Sequence, residues 1–573
     1  NKGIDRKLSM RTPLLLLFIL FFIPVAATAG ITVTAFCPDP YLPYDPDEFI
    51  VLTGEGSLDG WTITDGEGTL GFPQGSRING DLVLARQAEA YWTTHGVYPD
   101  FEWDYSTDTV PNLIHTDNFI LANTEDEIEL YHHGTRRFEI AWPRDLQPRE
   151  GQIHRIVDGI WNPRPFMIGQ SDFSPIQFEG VSATLFVSPD SAYEVIEQAI
   201  SSAERSIEVS VYEFTHPGIG ELLIEAQNRG VSVRILLEGS PVGGVSPEQA
   251  ALLSVLNQSG ISVDYMGVSG GERSRYRFLH SKYLIIDSES LLLTSENLKE
   301  SGIPLPGYAG NRGWGVWIHD ARLADYFGMV YSEDSIGSDV VPISPMRNAD
   351  IPASGTSDAH TQRYSPLFIE GVTIIPVLSP DTSHLVPEMI AGATRTVEIQ
   401  QAYISNWTKN APNPWLDAAI DAARRGVKVR IILDASWFNI QDQFDNDEMA
   451  AFINRYADAD GLPLEARLYQ GDRAGITKIH TKGVIVDGNS VLVSSINWNE
   501  NSPMNNREAG VIIEDPDAAT YYLRVFEEDW KNEYRPAGQT LAIPSEGWPK
   551  PAIAMAILLF FAGIILGKRI RKD

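Results

Sequence analysis

Two stretches of eighteen residues hold the side chains in this chain that could do chemistry. His280–Asn297 reads HSKYLIIDSESLLLTSEN, and His480–Asn497, 200 positions later, reads HTKGVIVDGNSVLVSSIN. Both fit one template: H-x-K, four residues, Asp, six residues, then [ST]-S-x-N. A lone histidine is usually a satisfied structural side chain. A duplication that carries His280, Lys282, Ser295 and Asn297 together, and again His480, Lys482, Ser495 and Asn497, points instead to a shared task. Imidazole, ammonium, hydroxyl and carboxamide suit a phosphate, because they offer charged and neutral donors to its oxygens and a nitrogen able to attack phosphorus. Two such sets facing each other make a symmetric site. One imidazole attacks, while the other protonates the leaving oxygen and then activates water.

Asp487-Gly488-Asn489-Ser490 lies between two apolar runs and predicts a hairpin. With Gly488-Asn489 as a two-residue loop, His480 pairs with Asn497 and Lys482 with Ser495. Ser288-Glu289 gives the matching pairs His280–Asn297 and Lys282–Ser295. Asp287 and Asp487 then fall at the turns, away from the functional face, and read as structural.

The duplicated motif resembles that of the phospholipase D superfamily, over roughly residues 176–545. The resemblance implies a two-fold α/β fold, a phosphohistidine intermediate, and no catalytic metal or other cofactor. It implies roles as well: His280 as nucleophile, His480 as acid and base, and Lys282 and Lys482 as catalytic ammonium groups. Ser295, Asn297, Ser495 and Asn497 are implied to hold the substrate phosphate. The family often orients a motif histidine with a carboxylate placed after the motif, and Glu508 in NREAG, 28 residues after His480, fits that role. The matching NRGWG has Gly313 at that place, so His280 is expected to lack the partner, with Glu213 a weaker substitute.

The flanking elements repeat too. VSATLFVSPD before the first motif is echoed by VTIIPVLSPD, and SIEVSVYEFT by TVEIQQAYIS. ELLIEAQNRGVSVRILLEG is echoed by WLDAAIDAARRGVKVRIILDA, an amphipathic helix stopped at Gly230 or Gly426 and then a buried strand. This rhythm predicts mixed, mostly parallel sheets flanked by helices, in pseudo-symmetric repeats at 176–345 and 369–545 joined by a polar linker at 346–368. Arg273, Arg275 and Arg277 alternate before His280 and would share a face on a strand; Arg473 and Lys478 precede His480. They are candidate positive patches beside the phosphate site.

Residues 1–29 read as a secretion signal. Residues 30–165, short alternating runs broken by Gly, Asp and Pro, resemble a lamin-tail domain, an immunoglobulin-like β-sandwich, and 166–176 reads as a linker. Residues 551–567 read as a transmembrane anchor and 568–573 as a basic cytoplasmic tail. An enzyme secreted across the membrane and tethered by its own C-terminal helix is expected, with its catalytic domains outside, complete in one chain and monomeric. With 76 Asp and Glu against 44 Lys and Arg, the net charge of −32 excludes a general pull toward polyanions. Cys37 is the only cysteine, which excludes a disulfide framework. Tethering and acidity favour a phospholipid substrate. An extracellular nuclease is the alternative, because SVYEFT resembles a strand of small single-motif nucleases in the superfamily. A non-catalytic surface-binding protein is a remote third reading.

Overall fold

The computed structural model describes residues 30–532, apart from 144–148, 158, 163, 268–273, 356–357, 407–412, 442–444 and 472–474. The signal segment, the C-terminal anchor and its basic tail lie outside the described residues, as do Arg273 and Arg473. Among the described residues no helix is long and apolar enough to cross a membrane.

Alternating apolar residues fold the N-terminal region into two sheets. One contains Thr32–Cys37, Phe49–Ser57, Arg77–Ala85 and Gln152–Val157; the other contains Trp61–Thr64, Asp126–His132 and Thr135–Trp142. Ile50, Leu52, Ile63, Ile128, Leu130 and Trp142 fill the core between them. The segment that follows is no free linker. Ser171 Oγ donates to Asp381 at 2.6 Å, Gln170 Nε2 donates to the Arg275 carbonyl at 2.6 Å, and Arg164 lies 3.5 Å from Asp381. These polar groups clamp the N-terminal sheets onto the two repeats.

Both repeats share one sheet of sixteen strands. At its centre Phe178–Ser188 pairs antiparallel with Leu367–Ser379, and each half fans outward from that seam. Among the described residues, parallel strand pairing in this sheet is confined to the outer trios and one short contact, apart from three isolated bridges. The trios are Ser206–Val211, Ser232–Glu238 and Ser262–Met266 in the first half, and Thr396–Gln401, Lys428–Asp434 and Leu464–Tyr469 in the second. The expectation of a mostly parallel sheet is therefore corrected. The helix-linked rhythm applies to the outer trios, whereas the motif hairpins and the long seam strands form antiparallel ladders.

Helices Pro217–Asn228 and Pro414–Arg424 start on capping side chains, His216 and Asn413, each followed by proline. Just beyond their ends, Gly230 and Gly426 take φ of 96° and 92°. On one sheet face the apolar residues form a separate core for each repeat. On the other face one core spans both, with helices Ala321–Asp334 and Pro516–Lys531 packed upon it.

The motif hairpins differ from expectation by one residue. Tyr283 pairs with Leu293 and Ile286 with Ser290; Gly483 pairs with Val493 and Val486 with Ser490. The loops thus hold three residues, Asp287-Ser288-Glu289 and Asp487-Gly488-Asn489. Their first two residues adopt left-handed φ: 56° and 54° in one loop, 55° and 63° in the other. The aspartates hold this shape. Asp287 accepts from the backbone N–H of Glu204, Arg205 and Ser206 at 2.6–2.9 Å, and Asp487 from Thr394, Arg395 and Thr396 at 2.6–2.9 Å. Cross-strand pairing therefore does not gather the functional residues. His280, Ser295 and Asn297, and their counterparts, lie beyond the last ladder pair, where the chain leaves the sheet.

Candidate active site

Each motif histidine is carried to the seam by a segment that pairs with the opposite repeat. Leu279 bridges to Arg507, and the His280 N–H donates to the Arg507 carbonyl at 2.8 Å. In mirror fashion Ile476–Ile479 pairs with the strand Gly310–His319, and the His480 N–H donates to the Arg312 carbonyl at 2.9 Å. Both imidazoles thereby enter one cavity of about 440 Å³, lined also by Asn297, Asn497, Tyr212 and Tyr403. Neither repeat makes this site alone.

The crossing also settles which carboxylate each histidine meets. His280 was expected to lack a partner, yet its Nδ1 lies 2.7 Å from Glu508 Oε2, supplied by the second repeat. Glu508 is fully buried and also accepts from Ser495 Oγ at 2.6 Å and from Asn506 Nδ2 at 2.9 Å. Glu213 is no substitute; it accepts from Asn297 Nδ2 at 3.2 Å and pairs with Lys299 at 3.2 Å. Because Glu508 serves His280, His480 meets a different group. Its Nδ1 lies 3.1 Å from Glu296 Oε2, at ion-pair distance but without hydrogen-bond alignment. Sequence reasoning missed Glu296, since it occupies the unspecified position of the S-x-N segment. The repeated Asn-Arg pairs at 311–312 and 506–507 were the available signal.

Burial dominates the site's electrostatics. It pushes Lys282 down to about 8 and Lys482 well below the ordinary ammonium range, against the pull of Glu508 on the first and Glu296 on the second. Burial lowers His480 strongly, and Lys482, Lys478 and Lys282 lower it further. It lowers His280 as well, although Glu508 opposes the change. Glu296 is lifted to about 7 by burial in spite of Lys482 and Asn311. Burial alone would raise Glu508 too, but His280, Lys282 and Ser495 hold it below its usual value. One half of the site thus has a firmly ionised carboxylate under its imidazole, and the other a carboxylate poised near neutrality.

The remaining candidates divide. Lys282 and Lys482 donate to the carbonyls of His280 and His480, Lys482 at 2.7 Å, which ties each ammonium to the backbone that carries its imidazole. Asn297 and Asn497 line the cavity. Ser295 and Ser495 are fully buried, and their hydroxyls accept from the backbone of Trp314 and Ala509 at 3.1 and 3.0 Å. Neither serine is among the residues lining the cavity; Ser495 also donates to Glu508. The arginine patch is corrected. No strand forms at 274–278, and Arg275 is buried, ion-paired with Asp339 at 2.6 Å and bonded to the Glu333 carbonyl. Arg277 is exposed, and Lys478 reaches the cavity with its ammonium 5.2 Å from the Phe438 ring. Among the described residues no cluster of His, Cys, Asp and Glu is arranged to hold a metal.

Comparison with known proteins meets this geometry. A family model described as cardiolipin synthase, PLD-like domain, matches residues 196–334 and again 386–530, the two repeats just described. The chain belongs to the phospholipase D superfamily. It is accordingly a phosphodiesterase-type enzyme. Phospholipase D Z of Dictyostelium discoideum is 22% identical over 395 residues, covering 60% of this chain and 86% of that one. Cardiolipin synthase A of Escherichia fergusonii is 23% identical over 405 residues, covering 68% of this chain and 76% of the relative. Among solved structures, phosphatidylserine synthase of Haemophilus influenzae aligns at 16% identity and a TM-score of 0.47, covering 67% of this chain and 94% of that one.

Proposed function

We propose that this superfamily member hydrolyses phospholipids through a phosphohistidine intermediate. The observation that carries the mechanism is the crossed pair of buried imidazole–carboxylate contacts facing one cavity. Glu508 holds the proton on His280 Nδ1, which leaves Nε2 with its lone pair for attack on phosphorus. The bound anionic phosphate favours the protonated imidazole of His480; the P–O bond to the head group breaks, and His480 gives that proton to the departing oxygen. His480 then takes a proton from water, the hydroxide attacks phosphorus, and the P–N bond to His280 breaks. Lys282, Lys482, Asn297 and Asn497 offset the charge on the phosphoryl oxygens.

A lipid rather than a polynucleotide is supported at the cavity mouth. Val242 and Phe438 each stand four residues past the end of matching strands, Ser232–Glu238 and Lys428–Asp434, and both line the cavity. They are 79% and 48% exposed. A symmetric apolar pair at an entrance suits acyl chains at a bilayer surface. A nucleic acid needs a basic stripe, and Arg275 does not supply one. The enzyme acts outside the membrane, held there by its C-terminal apolar segment. The names of its relatives, a phospholipase D and cardiolipin synthases, agree with a lipid substrate.

The test runs the purified protein in EDTA against phosphatidylcholine and phosphatidylglycerol vesicles, single-stranded DNA and duplex DNA, with His280→Asn and His480→Asn as blanks. Lipid turnover lost in both variants is expected; DNA turnover alone overturns the lipid reading. Val242→Asp with Phe438→Asp should cut vesicle turnover about tenfold or more, because two apolar contacts with lipid are lost. Hydrolysis of a water-soluble nitrophenyl phosphodiester should stay within about twofold, since neither residue is assigned a part in the chemical step.

A further inference from the structure

We propose that Glu296 is the positioning residue of His480, and that positions 296 and 313 are alternative roots for one carboxylate. The inference rests on the two-histidine reading above. In the second repeat the carboxylate grows from position 508, and the residue between Ser495 and Asn497 is Ile496. In the first repeat the arrangement is inverted, with Glu296 between Ser295 and Asn297 and glycine at 313.

The two roots are neighbours in both repeats. Ser295 N–H donates to the Trp314 carbonyl and Ser495 N–H to the Ala509 carbonyl, both at 2.9 Å. Each S-x-N segment therefore lies in the same way against the strand that carries the other root. A Cβ placed on Gly313 would come 2.5 Å from Glu296 Oε1, 2.6 Å from its Cγ and 2.9 Å from its Cδ. The space that a side chain at 313 would fill is filled by Glu296. Gly313 is not among the residues with positive φ, so its backbone does not demand glycine; the space does.

The polar chain is reproduced as well. Asn506 Nδ2 donates to Glu508 at 2.9 Å, and Glu508 meets His280. Asn311 Nδ2 donates to Glu296 at 3.0 Å, and Glu296 meets His480. Asparagine, carboxylate and imidazole follow one another in each half, although the carboxylates come from different places in the repeat. An acid that arose only to neutralise charge would have no reason to rebuild this order.

The test compares Glu296→Gln, Glu296→Ala, and Glu296→Ala combined with Gly313→Glu, using an alkyl phosphodiester and a nitrophenyl phosphodiester. Glu296→Gln keeps the volume and the Asn311 contact, so its melting temperature should match the parent. Its kcat on the alkyl ester should fall about 10–100-fold with little change in KM, the loss typical when a group that orients a reacting side chain is removed. The loss in kcat/KM on the nitrophenyl ester, which reports formation of the phosphoenzyme and whose leaving group needs no proton, should be several-fold smaller than on the alkyl ester. Re-rooting the carboxylate in the double variant should return kcat to within about fivefold of the parent, where Glu296→Ala alone does not. An undiminished kcat in Glu296→Gln while His480→Asn is inactive overturns the proposal and leaves the two-histidine reading intact. So does a double variant that folds and remains as slow as Glu296→Ala. Full activity in His480→Asn fails the two-histidine reading itself.

Discussion

Lys282 and Glu508 show how far single residues set the behaviour of this site. Lys282 is held near 8 because burial disfavours its charge. As pH rises through that value the ammonium is lost and an anionic substrate loses a partner. The kcat/KM of a soluble phosphodiester should therefore decline above about pH 8, since this ratio reports the free enzyme. Lys282→Arg should remove that decline; a profile flat to pH 10 in the parent, roughly two units past the lysine, would contradict it. Glu508→Gln should lower kcat about 100-fold, because the buried carboxylate that fixes the His280 tautomer becomes a carboxamide. At this scale the sequence was most informative. Both histidines, both lysines and both asparagines were visible as a repeated pattern, and Glu508 through its spacing. Their pairing was not, because the His280–Glu508 and His480–Glu296 contacts join residues from different repeats. No local period records such a crossing.

The motif hairpin is the element that delivers these residues, and its aspartate acts at the far end. Asp287 accepts three backbone N–H groups and is mostly buried, so Asp287→Ala should cost about 3 kcal/mol of stability. Turnover per folded molecule should hold, because the turn lies at the opposite end of the hairpin from His280. Urea unfolding and an active-site titration separate the two effects. The one-residue register difference has a physical origin. The strands Lys282–Ile286 and Lys482–Val486 are buried along their whole length, so no alternation of polar and apolar residues marks one face. Turn chemistry alone remained, and Gly488-Asn489 fits a two-residue loop as well as part of a three-residue one. The helices were easier to read, since Pro217 and Pro414 start them and Gly230 and Gly426 follow their ends.

Across the whole molecule, the repeats are fastened by two buried arginines that descend from one position. Arg312 bonds Asp190 at 2.8 Å and Asp529 at 3.0 Å, and Arg507 bonds Asp334 at 2.9 Å and reaches Asp381 at 3.5 Å. Their carbonyls hold the N–H groups of His480 and His280, so the fastening and the chemistry share a backbone. Arg507→Met should cost about 3–5 kcal/mol by leaving Asp334 buried without its cation, and a lowered unfolding midpoint would show it. The duplication was plain in the sequence, and so was the strand-rich N-terminal region. The single continuous sheet and the clamp of residues 164–173 on Asp381 were not, because segments far apart in the chain make them. The central claim is that both histidines act in turn at one phosphorus. Pre-steady-state hydrolysis of a nitrophenyl phosphodiester by His480→Asn and by His280→Asn tests it most directly. The first step needs no proton for this leaving group, so His480→Asn should release a burst of about one equivalent of nitrophenolate and then stall with the phosphoryl group on His280. His280→Asn should show no burst. Steady turnover without a burst in both variants would contradict the account.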